Sequence, residues 1–175
     1  NPDTMGSSAV VNSRFKNWPF QKKIFQISHI NNINNKKIET VFIKKEAPIN
    51  KIINLPKIIF RINQYLKNSE KKILIIEGAS WIFYSFIVIF FFKIFSPRIK
   101  IIYISHSIES EIRKKYSNKF IYFLKKILEK LVFKFSNIST SVSIKEMKKI
   151  ELLYKKKTIF LPNGISLNNI NNKKR

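Results

Sequence analysis

The chain has 175 residues, of which 34 are Lys or Arg and 10 are Asp or Glu, so its formal net charge is +24. This length suits one domain whose folding buries roughly 70% of the surface of the unfolded chain. An apolar content of 45% excludes global disorder. The absence of Cys excludes a disulfide scaffold, a thiol nucleophile and a Cys-ligated zinc site. Three Gly residues are too few for a Gly-rich nucleotide loop.

The positive charge has two interpretations. Lys, Ile, Asn and Phe are encoded largely by A/T-rich codons, so a low-GC genome would enrich Lys without any polyanionic partner. Specific nucleic-acid recognition favours clustered Arg or an aromatic-interleaved basic motif, whereas the five Arg residues are scattered, at positions 14, 61, 98, 113 and 175. Nucleic acid is therefore not an expected partner. Such an excess of Lys still favours anionic surfaces, including a lipid leaflet.

Predicted strands and helices alternate along the chain. Short β-branched runs predict strands at Ile24–Ser28, Ile38–Ile43, Ile73–Ile76, Lys100–Ser105, Ile138–Val142 and Thr158–Leu161. Periodic segments predict helices at Ser7–Trp18, Pro56–Leu66, Ser80–Phe95, Lys119–Phe135 and Ile144–Tyr154. This alternation predicts an α/β fold, with a Rossmann-like, doubly wound, mostly parallel sheet and helices on both faces. No strand precedes the first helix, so a first strand is expected to be missing.

Three of these helices carry further signals. Pro56 suits the first position of its helix, because its missing N–H has no partner there. The run from Ala79 to Phe92 has 14 residues without a charge, whereas a membrane-spanning helix needs about 20, so this segment is predicted to be a buried core helix. The last helix begins with a predicted capping box, in which Ser143 is the N-cap and Glu146 is the third helical residue.

The segment Lys119–Phe135 has the clearest amphipathic pattern. Its apolar residues recur at helical spacing, at Phe120, Phe123/Leu124, Ile127/Leu128, Leu131 and Phe135. A separate basic face is formed by Lys119, Lys126, Lys130 and Lys134. This basic face could contact an anionic membrane, or it could simply be solvated.

Small and polar residues gather where the predicted strands end. They are Glu77, Gly78 and Ser80 after the third strand, His106 and Glu109 after the fourth, Ser143 after the fifth, and Pro162, Asn163 and Gly164 after the sixth. Ligands of doubly wound folds bind beyond the carboxyl ends of the strands, so a cleft is expected there. Glu77 could be a buried acid or an exposed strand-end carboxylate, and the exposed carboxylate is the favoured interpretation. No Ser/His/Asp triad can be assembled, and two His and a single Asp offer little for a metal cage.

Four motifs occur in a characteristic order and spacing. They are Glu77-Gly78-Ala79-Ser80 after a strand, His106-Ser107-Ile108-Glu109 after the next strand with Arg113 behind it, a helix carrying Glu129 followed by Asn137 to Ser143, and Tyr154 followed by Pro162-Asn163-Gly164-Ile165. Together they resemble the N-terminal half of GT-B glycosyltransferases, specifically the retaining family 4, also called group 1. Upstream, Met5-Gly6-Ser7-Ser8 occupies the place of that family's Gly-Gly loop, with one Gly instead of two.

The resemblance implies one half of a GT-B fold. Residues 1–165 would form the acceptor-side domain and residues 166–175 the start of an interdomain linker. The donor-binding half is expected to be absent, so this segment alone is expected to be inactive. The implied activity is retaining transfer of a sugar from a nucleotide-sugar to a glycan or lipid-linked acceptor, in bacterial cell-surface polysaccharide or glycolipid assembly. No cofactor or obligatory metal is implied. The implied location is cytoplasmic, with peripheral contact at the inner face of the plasma membrane.

The resemblance also assigns roles to residues. His106 would be the catalytic histidine that contacts the donor sugar. Donor binding would fall to Gly6, Ser7, Asn163 and Gly164, and acceptor binding to Gly78, Ser80, Glu109, Arg113 and Ser143. Such a transfer must stabilise positive charge that develops at the sugar and negative charge on the leaving diphosphate. GT-B enzymes do this with amide donors, helix N-termini and basic side chains.

The same residues also have purely structural interpretations. Gly6 and Ser7 fit a helix N-cap, His106 could satisfy backbone groups at a strand end, Glu109 and Arg113 could form a surface ion pair, and Asn163-Gly164 fits a turn.

Two other functions stay open. A non-enzymatic basic module would bind nucleic acid or an anionic membrane with a steep salt dependence. Another sugar-nucleotide enzyme, such as an epimerase, is the second alternative.

Overall fold

The computed structural model describes residues 23–28, 38–43, 47–70, 72–78, 82–108, 110–111 and 118–162. In chain order its elements are β1 (Ile24–Ser28), β2 (Ile38–Phe42), α1 (Pro48–Lys67), β3 (Ile73–Gly78), α2 (Ile82–Phe95), β4 (Lys100–Ser105), α3 (Lys119–Phe135), β5 (Ile138–Ser141), α4 (Ile144–Tyr154) and β6 (Ile159–Phe160). The predicted opening helix Ser7–Trp18 and the predicted linker 166–175 lie outside the described residues.

Every strand pairing in the described part of the chain is parallel. β1 pairs with β2, and β3, β4, β5 and β6 form a second sheet in that spatial order. With four helices flanking the strands, the chain has the predicted Rossmann-like, doubly wound α/β fold. Among the described strands, β6 lies at one edge of the larger sheet, and its two residues, Ile159 and Phe160, are both exposed.

One hydrophobic cluster forms the core of the described residues. It runs from β2 through the buried faces of α1 and α2 to β4, α3 and α4, and includes Val41, Leu55, Phe92, Ile101, Val132 and Ile150. Because residues of β2 and β4 belong to the same cluster, the two sheets share a single apolar interior. Burial of this kind supplies the main favourable free energy of folding.

Two predicted boundaries within the described residues are wrong by two or more residues, whereas those of β2, β5, β6 and the end of α1 differ by one residue. α1 begins at Pro48, so Pro56 lies inside the helix rather than at its first position. A proline in a helix interior costs about 3 kcal/mol, which the tertiary burial of Leu55, Ile58 and Ile59 around it offsets. β3 extends through Glu77 and Gly78, which were expected to separate the strand from the next helix.

α3 buries a different face from the one its apolar repeat suggests. Its buried residues are Lys125, Leu128, Glu129, Val132 and Phe133, whereas Phe120, Phe123, Leu124 and Ile127 are exposed. Phe133 explains which face of α3 is buried. Its ring packs edge-on against Tyr103, with 5.5 Å between centroids, and stacks on Tyr154 at 5.1 Å. The C-terminal half of α3 therefore fixes the helix on the core and turns the apolar repeat of its N-terminal half outward.

α2 is buried on one face only. Ile82, Ser85, Ile89 and Phe92 face the core, whereas Phe90, Ile94 and Phe95 are exposed. With 14 residues, the helix is about 21 Å long. Within the described ranges, no helix combines the length and the apolar character needed to cross a bilayer.

A buried carboxylate joins α3 to two other segments. Glu129 accepts hydrogen bonds from the Ser110 backbone N–H at 3.0 Å, from the Ser110 hydroxyl, and from the Tyr154 hydroxyl at 2.6 Å. Burial, together with the charge of Glu129 and its hydrogen bond, raises the pKa of Tyr154 well above its usual range, so the hydroxyl stays protonated and donates. Glu129 thereby ties the segment after β4, α3 and the end of α4 together.

Replacing Tyr154 by Phe should lower the free energy of unfolding by about 1.5–3 kcal/mol, because a buried charged acceptor loses a donor. Urea titration followed by circular dichroism measures the change. Tyr65→Phe alters a half-buried ring of α1 outside this cluster and should shift stability by less than about 0.5 kcal/mol. Equal losses in the two variants would contradict the role assigned to Glu129.

Candidate functional site

The carboxyl ends of the strands meet in one row. In the register of the larger sheet, Gly78 of β3 lies opposite Ser105 of β4, and Ser105 lies opposite Ser141 of β5. Ser141 is in turn the partner of Phe160 in β6. The residues that follow these positions therefore emerge at the same rim of the sheet, as the sequence predicts for His106 and Ser143.

Two buried serines shape the loops at this rim in the same way. The Ser105 hydroxyl donates to the Ser107 carbonyl at 3.2 Å, and the Ser141 hydroxyl donates to the Ser143 carbonyl, also at 3.2 Å. Each serine ends its strand and closes a local turn, a pattern that Ser favours because its hydroxyl can bond backbone groups two residues away. His106 sits inside the first turn, and Ser143 ends the second.

His106 is held by Glu77. Its Nε2 atom lies 2.6 Å from Oε2 of Glu77, and the two side chains are only 13% and 20% exposed. The interpretation of Glu77 as an exposed strand-end carboxylate is therefore wrong. An ionised carboxylate only accepts hydrogen bonds, so Nε2 carries a proton and, in the neutral imidazole, Nδ1 is the acceptor. The pair fixes the ring orientation of His106 and, in the neutral imidazole, leaves Nδ1 as the acceptor nitrogen.

Gly78 is required by its neighbours rather than by its own backbone conformation. A Cβ atom at this position would meet the Tyr103 hydroxyl oxygen, would lie 2.7 Å from Cζ of the same ring, and would lie 2.9 Å from the Ile104 carbonyl oxygen. Only glycine leaves room for the buried Tyr103 ring beside the end of β3. Its assignment as an acceptor-contacting residue stays a prediction.

A cleft of about 550 Å³ opens at the rim, lined by His106, Ile108, Glu111, Ser143, Lys145, Glu146 and Lys149. Its lysines lie on the first two turns of α4, and Lys149 Nζ is 3.8 Å from Oε2 of Glu111. Ammonium groups bind anions such as phosphate, whereas carboxylates and an imidazole acceptor bind hydroxyl groups. The cleft therefore offers partners for both parts of a phosphorylated sugar.

Glu146 contributes a partly desolvated acid to this cleft. Ser143 is the N-cap of α4 as predicted, but its side chain makes no capping hydrogen bond, so the predicted capping box is wrong. The Glu146 carboxylate instead accepts from the Ile108 backbone N–H, and its Oε2 atom is buried without a hydrogen-bond partner. Burial raises the pKa of Glu146, while the Ile108 N–H, Lys149 and protonated His106 act in the opposite direction.

A second cavity, of about 670 Å³, lies between the smaller sheet and α1. Its one carboxylate, Glu39, is already engaged in ion pairs, because it is 2.7 Å from Lys23 and 3.2 Å from Arg61. None of its lining residues belongs to a strand of the larger sheet or follows one. The cleft beside His106 is therefore the stronger candidate site. Among the described residues, no cluster of three or more His, Asp or Glu side chains could hold a metal ion.

The structure describes three of the predicted site residues, namely Gly78, His106 and Ser143, and brings all three to the rim. The others lie outside the described residues: Gly6, Ser7, Ser80, Glu109, Arg113, Asn163 and Gly164. Sequence reasoning did not assign Glu111 and Glu146 to the site. The only sequence signal for Glu111 is its position five residues after His106. Local capping rules assigned Glu146 a different role.

Gly78→Ala should lower the free energy of unfolding by about 1–3 kcal/mol, because the added methyl group overpacks the space beside Tyr103. Urea titration measures this loss. In a Tyr103→Leu background the same change should cost less, since the aromatic ring is gone while the Ile104 carbonyl remains. An equal cost in both backgrounds would show that the ring is not the obstacle.

Glu146 should make stability depend on pH. Its raised pKa in the folded state gives a stabilising contribution that is fully present below the ordinary carboxyl pKa and is lost as pH rises through the folded value. The side chain of the Glu146→Gln variant cannot ionise. Between pH 4 and 7, the free energy of unfolding of this variant should therefore rise by up to about 1 kcal/mol relative to that of the wild type. Urea titrations at several pH values measure this gain. Glu70→Gln, at an exposed position, should run parallel to the wild type, and parallel curves for Glu146→Gln would contradict the burial of its carboxylate.

The sequence matches no protein-family model and no curated protein. A Rossmann-like sheet hosts many unrelated chemistries, so the fold alone does not identify an activity. The side chains at the rim of β3, β4 and β5 therefore carry any functional inference for this chain.

Proposed function

We propose that this chain is the acceptor-side half of a retaining, GT-B-type glycosyltransferase similar to family 4. It would transfer a sugar from a nucleotide-sugar to a glycan or lipid-linked acceptor in bacterial cell-surface polysaccharide or glycolipid assembly. The observation that carries the proposal is the His106–Glu77 pair at the end of β4, beside a cleft that Ser143 also lines.

The hydrogen-bonding character of the cleft supports a sugar ligand. Sugar hydroxyls both donate and accept, so a site for them needs oriented groups of both kinds. His106 presents an acceptor nitrogen fixed by Glu77, and Glu146 presents a buried oxygen without a partner. The Ser143 hydroxyl can serve in either direction. A ligand hydroxyl donating to Glu146 would relieve the cost of that unsatisfied acceptor.

Two lysines and a helix N-terminus in the cleft support a phosphate group on one of the substrates. Lys145 and Lys149 line it on α4, and the first turn of that helix presents backbone N–H groups that the Ser143 side chain does not cap. Backbone donors and lysines at a helix N-terminus favour anions. On the acceptor side, the same groups would bind the phosphate of a lipid-linked acceptor.

The proposal is tested by ligand binding to the chain. Long-range ¹H–¹⁵N spectra of the imidazoles should show the His106 signals shifting when UDP-hexoses, GDP-hexoses or methyl hexosides are titrated to millimolar concentration. His106→Ala should weaken binding of the responding ligand by about 10- to 100-fold, since an oriented hydrogen bond near charged groups is worth about 1.5–3 kcal/mol.

Lys100→Ala is the matched control, because Lys100 is an exposed residue at the opposite end of β4. It should leave the affinity within about twofold and thereby report any general effect of lost positive charge. Absence of a His106 shift across the whole ligand panel would overturn the proposed function. So would equal weakening by His106→Ala and Lys100→Ala.

A further inference from the structure

The N-terminal half of α3 exposes a continuous apolar stripe. It consists of Phe120, Phe123, Leu124 and Ile127, all exposed, with Phe120 at 72% and Phe123 at 60%. These residues are spaced i, i+3, i+4 and i+7, so they lie on one face of the helix. Single exposed apolar residues are ordinary on protein surfaces, but a stripe with two aromatic rings is a candidate contact surface.

Lysines border this stripe along the same helix. Lys119, Lys130 and Lys134 are exposed, and Lys126 is half-buried. The first three in chain order lie within three positions of a stripe residue, and Lys134 lies seven positions after Ile127. The only acidic residue of α3 is Glu129, which is 2% exposed and faces the core. The exposed residues of α3 are therefore all apolar or cationic.

We propose that α3 is an interfacial helix through which this chain docks on an anionic lipid bilayer. Apolar side chains flanked by lysines fit the boundary between headgroups and acyl chains, where the rings insert and the ammonium groups bind lipid phosphates. The net charge of +24 attracts the whole chain to such a surface. A helix of this kind lies in the plane of the membrane.

Composition alone does not produce this surface. α1 also exposes three large apolar residues, Ile49, Ile53 and Phe60. α1 is basic as well, because Lys57 and Lys67 are exposed and Lys51 and Arg61 are half-buried. What distinguishes α3 is that the four exposed apolar residues of its stripe lie within two turns and include two rings, whereas those of α1 are spread over three turns with one ring, so α1 supplies a matched control.

Docking through α3 would bring the cleft close to the bilayer. Tyr122, between two members of the stripe, donates a 3.5 Å hydrogen bond to Oε1 of Glu111, which lines the cleft beside His106. A lipid-linked acceptor held in the membrane would then lie within reach of the rim. This consequence rests on the proposed function, whereas membrane docking itself does not.

The test is flotation of the full chain with vesicles of phosphatidylcholine containing 30% phosphatidylglycerol, compared with pure phosphatidylcholine, at physiological salt. We expect at least tenfold tighter binding to the anionic vesicles. Phe120→Ser/Phe123→Ser should lower that binding at least tenfold, whereas Phe60→Ser should leave it within twofold. Circular dichroism confirms that each variant is folded.

A second measurement reports insertion directly. Phe123→Trp should show blue-shifted emission and quenching by brominated lipid on anionic vesicles, and Phe60→Trp should show neither. The proposal is overturned if Phe120→Ser/Phe123→Ser leaves vesicle binding unchanged, since attraction by net charge alone would then account for the binding. It is also overturned if the stripe variant abolishes self-association of the free chain, or binding to single-stranded RNA, while vesicle binding persists.

Vesicle flotation and the His106 titration test the two proposals separately. Loss of vesicle binding would remove the membrane proposal and leave sugar binding intact. A silent His106 signal would remove the sugar-transfer proposal and leave membrane docking intact.

Discussion

The in-register parallel pairing of β3, β4 and β5 is the constraint on which the candidate site depends. It aligns Gly78, Ser105 and Ser141 in one row, so the residues that follow them emerge together. Side chains alternate between the faces of a sheet, and a shift of one residue in either ladder would send them to the opposite face. A shift in the β3–β4 ladder would separate His106 from Glu77, so the backbone hydrogen bonds of the sheet determine the geometry of the cleft.

The fold was predictable because its signals are local. Apolar β-branched runs and helical periodicity gave β4, α3 and α4 with their observed bounds. Pro56 misplaced the start of α1, since a local rule for proline cannot weigh the burial of its neighbours. The outward turn of the stripe on α3 was also missed, because the decisive contacts of Phe133 with Tyr103 and Tyr154 join residues from separate elements.

Only the part of the site that follows from strand order was predictable from the sequence. His106 and Ser143 could be placed at one rim because parallel strands end at the same edge. Their partners could not be assigned, because Glu77 has no sequence feature that marks it as the partner of a histidine 29 positions away. Glu146 shows the converse case, in which a plausible local hydrogen bond gave way to the Ile108 N–H supplied by another loop.

The scarce carboxylates have specific structural roles in this basic chain. Glu77 orients His106, Glu129 joins three segments, and Glu146 lines the cleft. Their withdrawal from solvent leaves the outer surface even more cationic than the composition suggests. The same arrangement accounts for both a cleft of mixed charge and an external helix face without acidic groups.

The brevity of β6 has a consequence for the behaviour of the chain in concentrated solution. An open sheet edge presents free N–H and C=O groups on which another molecule can add a strand, and apolar residues make such additions persist. Two residues offer too short a ladder for stable intermolecular strand addition, even though both are apolar and exposed. At this edge of the described strands, a chain rich in isoleucine and phenylalanine thus offers little template for fibrous aggregation.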